Sequence, residues 1–192
     1  IWLAASTREG EEVLILAAYR ALCALLPDQH PLLVLVPRHP QRFNDVATLV
    51  AREGFSLKRR SESLPDHETD VWLGDSMGEM VAYYNLADVA VIGGSLLPFG
   101  GQNLIEAAAC GTPLVIGPHT YNFSAAANAA EQTGAAIRIS EGSPEALAQA
   151  LSQLIADPAQ HLAAKTATAQ FVSTATGATG KLLALIRQYD QN

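Results

Sequence analysis

Short, wholly apolar runs recur along the chain, each separated from the next by a stretch of helical periodicity. Leu32–Val36, Val89–Ile92 and Leu114–Ile116 contain no polar residue at all. A strand with one wet face alternates apolar and polar residues. A run with no alternation belongs to a strand covered on both faces, as in a parallel sheet between two helical layers. That pattern constrains the fold more than any other feature. The expected strands are Ile1–Ala5, Leu32–Val36, Phe55–Arg59, Val71–Gly74, Val89–Ile92, Leu114–Ile116 and Ala136–Ile139. The expected helices are Glu11–Leu26, Phe43–Glu53, Met77–Asn85, Asn103–Ala109, Ser124–Gln132, Pro144–Ile155, Ala159–Phe171 and Lys181–Tyr189. Ser61–Thr69 reads as an exposed loop, and the Thr/Ala/Gly stretch over 174–180 breaks the helical pattern. Strand–helix alternation with right-handed crossovers gives an α/β, Rossmann-like, doubly wound parallel sheet over 1–192.

Size and charge narrow the function. The 192 residues suffice for one domain with a full core, and 49% hydrophobic content excludes a disordered tail. The apolar runs all fall short of the ~18 residues a membrane span requires. A net charge of −7 makes the whole surface a poor match for nucleic acid, so any anion site must be local. Cys23 and Cys110 share no metal-ligand spacing and read as buried, reduced thiols. Ile1–Ser6 already reads as a buried strand, without an initiator Met or a signal-peptide pattern, so further chain is expected ahead of Ile1.

Ligands of doubly wound sheets sit outside the carboxyl ends of the strands, and the unusual residues fall in those loops. Ser6, Thr7, Arg8, Glu9 and Gly10 follow the first strand; Pro37, Arg38, His39 and Pro40 follow the second. Gly74, Asp75, Ser76, Met77 and Gly78 follow a later one, and Gly93–Gly101 follows Val89–Ile92. Bare backbone and hydroxyls before a helix favour phosphate. Arg8 and Arg38 add fixed positive charge able to grip phosphate or carboxylate. Each arginine alone reads as a solvated cation; two of them in loops on the same sheet edge of an acidic protein point to an anionic ligand.

Asn103 and Glu106, three residues apart, fit a capping box or a ribose-binding carboxylate. The glycine pairs before them favour the ligand. His39 and His119 could face the same cleft; His30, His67 and His161 read as surface residues. The sequence lacks G-x-G-x-x-G after the first strand, a Walker A motif, a hydrolase G-x-S-x-G triad and metal-ligand spacing, so no metal or cofactor is expected.

Five motifs in order then carry a resemblance: AASTREGEE, LVPRHPQRF, GDSMGEM, GGSLLPFGGQNLIEAAACGTPLVIGP and HTYNF. Together they resemble the carboxyl-terminal half of the bacterial Kdo transferases, densely from Ile1 to about Phe123. These are inverting GT-B glycosyltransferases that move Kdo, an eight-carbon acidic sugar, from CMP-Kdo to a lipid A precursor of Gram-negative lipopolysaccharide. The resemblance implies a donor-binding domain. The acceptor domain, its membrane anchor and the glutamate general base belong to an amino-terminal half. The full-length enzyme would then act at the cytoplasmic face of the inner membrane, this portion being soluble and inactive alone.

The site residues follow from the same resemblance. It sets Ser6, Thr7 and Arg8 against phosphate or sugar carboxylate, with Arg8 where many relatives carry histidine. Pro37, Arg38, His39 and Pro40 would wall the cytosine, with Gly74, Asp75, Ser76 and Met77 lining the same pocket. Gly93, Gly94 and Ser95 would cradle the phosphate. Asn103 and Glu106 would hold phosphate and ribose. Gln102 stands where some relatives carry histidine. The rival readings are a UDP-sugar GT-B enzyme and a non-catalytic nucleotide-binding module.

Overall fold

The computed structural model describes residues 1–175; the helix expected over Lys181–Tyr189 lies outside the described residues. The strands are β1 (Trp2–Thr7), β2 (Leu33–Pro37), β3 (Leu57–Arg59), β4 (Val71–Leu73), β5 (Val89–Ile92), β6 (Leu114–Ile116) and β7 (Ala136–Arg138). They form one sheet in the order β3-β4-β2-β1-β5-β6-β7, with every neighbouring pair parallel. The helices are α1 (Glu11–Leu25), α2 (Phe43–Arg52), α3 (Met80–Leu86), α4 (Ile105–Ala109), α5 (Ser124–Thr133), α6 (Pro144–Ala156) and α7 (Pro158–Ala175).

Alternate residues of each strand enter opposite cores. Trp2, Ala4, Leu33, Leu35, Val89 and Val91 pack beneath α1, α2 and α6. Leu3, Ala5, Val34, Val36, Ala90 and Ile92 pack beneath α3, α4, α5 and α7. The uninterrupted apolar runs have their cause here: both faces of the central strands are covered, and Leu33, Leu35, Val89, Ala90 and Val91 are fully buried.

From β1 the chain winds outward through β2 to the β3–β4 edge, then returns to lay β5 on the other side of β1 and continues to β7. Strand order therefore reverses between β1 and β5, where open α/β sheets leave a crevice at their carboxyl ends. The sequence expectation holds for all seven strands, with two helix starts displaced. The helix expected from Met77 begins at Met80, because Gly78 at φ +81° is left-handed and ends the preceding turn. The helix expected from Asn103 begins at Ile105. Between β3 and β4 residues 60–70 cross over without a helix.

Candidate functional site

At the reversal, β1 and β5 approach so closely that their loops share backbone contacts. The Gly93 N–H donates to the Ala5 carbonyl at 2.8 Å. A Cβ on Gly93 would sit inside the van der Waals shell of the Ser6 and Ala5 oxygens, so only glycine fits. Ser6 has φ 57°, the one positive φ outside glycine among the described residues, and the β1–β2 register slips between Ala5 and Thr7. The strand thus ends in a bulge that turns Ser6 out toward the crevice.

The glycine-rich segment after β5 forms a closed floor. The Ser95 hydroxyl, fully buried, donates to the Ile92 carbonyl and accepts from the Gly117 N–H at 2.8 Å. The Gly101 N–H returns to the Gly94 carbonyl at 2.7 Å. The Gly94 and Leu96 N–H groups donate to the Glu11 carboxylate at 2.7 and 3.0 Å, and the Arg8 N–H joins them at 2.8 Å. Glu11 is fully buried. Burial pushes its carboxyl above the usual carboxylate range, against the pull of those N–H donors. Beside it Glu12, also buried, accepts both Arg42 guanidinium nitrogens at 2.6 and 2.9 Å and the Thr7 hydroxyl at 2.6 Å. The bidentate bond to Glu12 holds the Arg42 pKa above its ordinary value.

Above this floor lies an open rim. Ser6, Val36, Pro37, Arg38, Ser76, Met77, Glu79 and Tyr83 surround one small notch, so loops after β1, β2 and β4 meet as expected. Arg38, His39 and Pro40 are exposed; the Arg38 N–H donates to the Thr7 carbonyl at 3.0 Å, while its guanidinium has no hydrogen-bond or ion-pair partner among the described residues. Arg8 is half-buried, its guanidinium stacked 4.9 Å from the Phe99 ring centroid. Met77 is 64% exposed. Gly74 is buried where a Cβ would collide with Val36 and Tyr83. On the far side of the notch Ser76 donates to Glu79, which also accepts from Arg60 at 2.9 Å. The Ser76 bond, then Arg60, hold the Glu79 carboxyl below its usual range.

On the β5 side Asn103 and Glu106 meet each other. Asn103 Nδ2 donates to Glu106 Oε1 at 3.0 Å, while Asn103 Oδ1 accepts from the Ile105 N–H at 3.0 Å. That differs from a capping box, in which the glutamate reaches back to a backbone N–H. Glu106 is exposed with one carboxylate oxygen free of any partner among the described residues. The Gln102 amide lies against Gly94.

Four expected contacts differ in kind from the resemblance. Thr7, Gly94 and Ser95 spend their polar groups inside the floor, on Glu12, Glu11 and the β5–β6 loops. Asp75 accepts from the Ser61 N–H at 2.9 Å and the Ser61 hydroxyl at 2.7 Å, tying β4 to the loop after β3. The residues missed from the sequence are Glu11, Glu12 and Arg42. Two glutamates opening a helix read as a solvated first turn favoured by the helix dipole, and only the fold shows them buried. A hollow of about 460 Å³ opens at the opposite end of the sheet, by Ile1, Leu32, Asp88 and Leu154, away from every expected site residue. Among the described residues no three His, Cys, Asp or Glu gather as a metal-ligand set, and no helix is long and apolar enough to cross a membrane.

The chain has known relatives. A 3-deoxy-D-manno-octulosonic acid transferase of Bordetella pertussis is 46% identical over 182 residues, covering 93% of this chain and 42% of its own length. One from Haemophilus influenzae is 51% identical over 124 residues, 64% of this chain and 29% of its own length. The chain therefore spans less than half of either relative. Among solved structures, the C-terminal CMP-Kdo binding domain of WaaA from Acinetobacter baumannii superposes with a TM-score of 0.80 at 29% identity. That match covers 89% of this chain and 87% of the domain. The family model described as glycosyl transferases group 1 matches residues 32–171. With the reversal, floor and rim in place, the chain belongs to the group 1 glycosyl transferases, as the carboxyl-terminal Rossmann-like half of their GT-B fold.

Proposed function

We propose that this chain binds the donor of a Kdo transferase, CMP-Kdo, for transfer to a lipid A precursor at the inner membrane. The observation that carries the reading is the near-complete match to a domain described as binding CMP-Kdo, joined to an unpartnered Arg38 guanidinium beside the notch at the strand-order reversal. The acceptor, the general base and any membrane anchor fall to the part of the full-length relatives that lies outside this chain.

In this reading the cytosine edge enters the notch between Ser6, Pro37 and Ser76, walled by His39, Pro40 and Met77 over Gly74. Glu106 accepts from the ribose hydroxyls with its free oxygen, and Asn103 and Gln102 face the phosphate. Arg8 and Arg38 take the phosphate and the sugar carboxylate. Departure of CMP places growing negative charge on the phosphate, and preorganised guanidinium groups stabilise it without reorganising at the moment of reaction. Gly93, Gly94 and Ser95 support the phosphate from beneath, as the floor on which those side chains stand.

Calorimetric titration with CMP, UMP, UDP and AMP tests this. Selective binding of CMP is the expected result. Preference for UDP would move the assignment to a UDP-sugar enzyme, and absence of all binding would overturn the donor role of this chain.

A further inference from the structure

We propose that Glu11 and Glu12 are positioning residues for the donor, two adjacent carboxylates that fasten the loops after β1, β2 and β5 to one helix end. The inference rests on the donor reading and goes beyond it, since neither side chain needs to touch the ligand. Glu11 reaches across the reversal to the Gly94 and Leu96 N–H groups, more than 80 residues away in sequence, and holds the Arg8 N–H as well. Glu12 grips Arg42, which ends the turn of 3₁₀ helix (Pro40–Arg42) that directly follows Arg38 and His39. It also holds Thr7, the residue between Ser6 and Arg8. The Arg8 and Arg38 guanidinium groups of the rim therefore stand on backbone that this pair fixes. Arg8 also lies on Phe99, which belongs to the loop that Glu11 anchors.

The charges suit the role. A pair of bare carboxylates under a phosphate would repel it. Here three N–H groups surround one, and a bidentate guanidinium neutralises the other, whose side chain is 1% exposed. Burying such a pair does not of itself favour stability over an apolar pair of the same volume. What it supplies is direction: each carboxylate joins two of the loops, Glu11 those after β1 and β5, and Glu12 those after β1 and β2. The Gly94 and Leu96 N–H groups, already taken, are not open to a phosphate; the positive charge that meets the donor is left to the rim.

The test compares CMP with cytidine, which lacks the phosphate, on wild type, Glu11→Gln and Arg42→Lys. Glutamine keeps the shape of Glu11 but turns an amide toward at least one N–H. Lysine keeps the charge of Arg42 and loses the fork. Each variant is expected to weaken CMP about tenfold, the size of one charged hydrogen bond, and cytidine by clearly less, so that the CMP-to-cytidine ratio falls. In the free Glu11→Gln protein, hydrogen exchange at Gly94 and Leu96 should speed about tenfold or more. Folded variants whose CMP-to-cytidine ratio matches wild type overturn the positioning role alone. Tighter CMP binding by Glu11→Gln overturns it too, because Glu11 would then be competing with the phosphate. A wild type that binds neither compound overturns the donor reading and this inference together. Should Glu11→Gln fail to fold, Arg42→Lys, on a side chain 20% exposed, carries the same comparison.

Discussion

The Arg38 side chain has no bond to lose when it is removed. It is exposed, and its loop is held by Arg42 four residues later. Arg38→Ala should therefore weaken CMP about tenfold and shift the melting temperature by less than about 2 °C, read by calorimetry and by thermal unfolding. Glu12 is the opposite case. Glu12→Ala strands a guanidinium and the Thr7 hydroxyl in the floor, a cost of about 3 kcal/mol, at the low end for a broken buried pair because Arg42 can still reach water. Urea unfolding measures it. Glu106 separates two roles cleanly. As a ribose ligand, Glu106→Gln lowers CMP affinity and leaves stability alone. If its bond to Asn103 served only α4, stability would fall and affinity would hold.

Elements show which parts of the fold can be read from residues. The apolar runs announce β2, β5 and β6 because both their faces are covered, and β1 for the same reason. Helix starts are less legible: α3 and α4 begin two or three residues late, where a left-handed Gly78 and an Asn103 turn decide. The meeting of the loops after β1, β2 and β4 was legible, since strand-to-helix loops of a parallel sheet share one edge. The floor was not, because the partners of Thr7 and Ser95 are set by which strands lie adjacent, and no local pattern encodes that. One contact at this scale is absolute: Gly93→Ala drives a methyl into the Ser6 and Ala5 carbonyls and should part β1 from β5, with loss of cooperative unfolding by circular dichroism. The helix-free crossover between β3 and β4 leans instead on polar bonds. Lys58, and then the Thr69 hydroxyl, bring the Asp66 carboxyl down to about 2, below the usual carboxylate range. A depressed carboxyl stabilises the fold above its unfolded pKa and loses that contribution as pH falls through the folded one. The loop should thus keep its order at pH 4 and lose it toward pH 2, followed by the Asp66 carboxyl resonance, and Asp66→Asn should abolish the transition.

For the molecule as a whole, one sheet serves two cores. Trp2 is fully buried in one, 6.1 Å from Tyr19, and Trp72 lies in the other, edge-on to Tyr83 at 5.7 Å. Neither layer keeps a strand of its own, so neither can unfold by itself. Single-tryptophan proteins made by Trp72→Phe and Trp2→Phe should give coincident urea transitions by fluorescence; separated midpoints would mean two independent units. The acidic net charge places the rim arginines in a protein that otherwise repels anions. Added salt should weaken CMP binding at the rim while cytidine binding stays flat.

The closed hydrogen bonding beneath the crevice also bears on how such a domain diversifies. Because Ser95, Thr7 and Gly94 find partners within the chain, the scaffold makes no demand on the identity of whatever occupies the opening. Side chains at the lip can be exchanged one at a time, each altering preference, while the ground they stand on keeps its shape. A collection of variants at positions 8, 38, 39, 77 and 102 would then hold many soluble, folded members with differing nucleotide selectivity, and one drawn from positions 7, 11, 12, 93 and 95 very few.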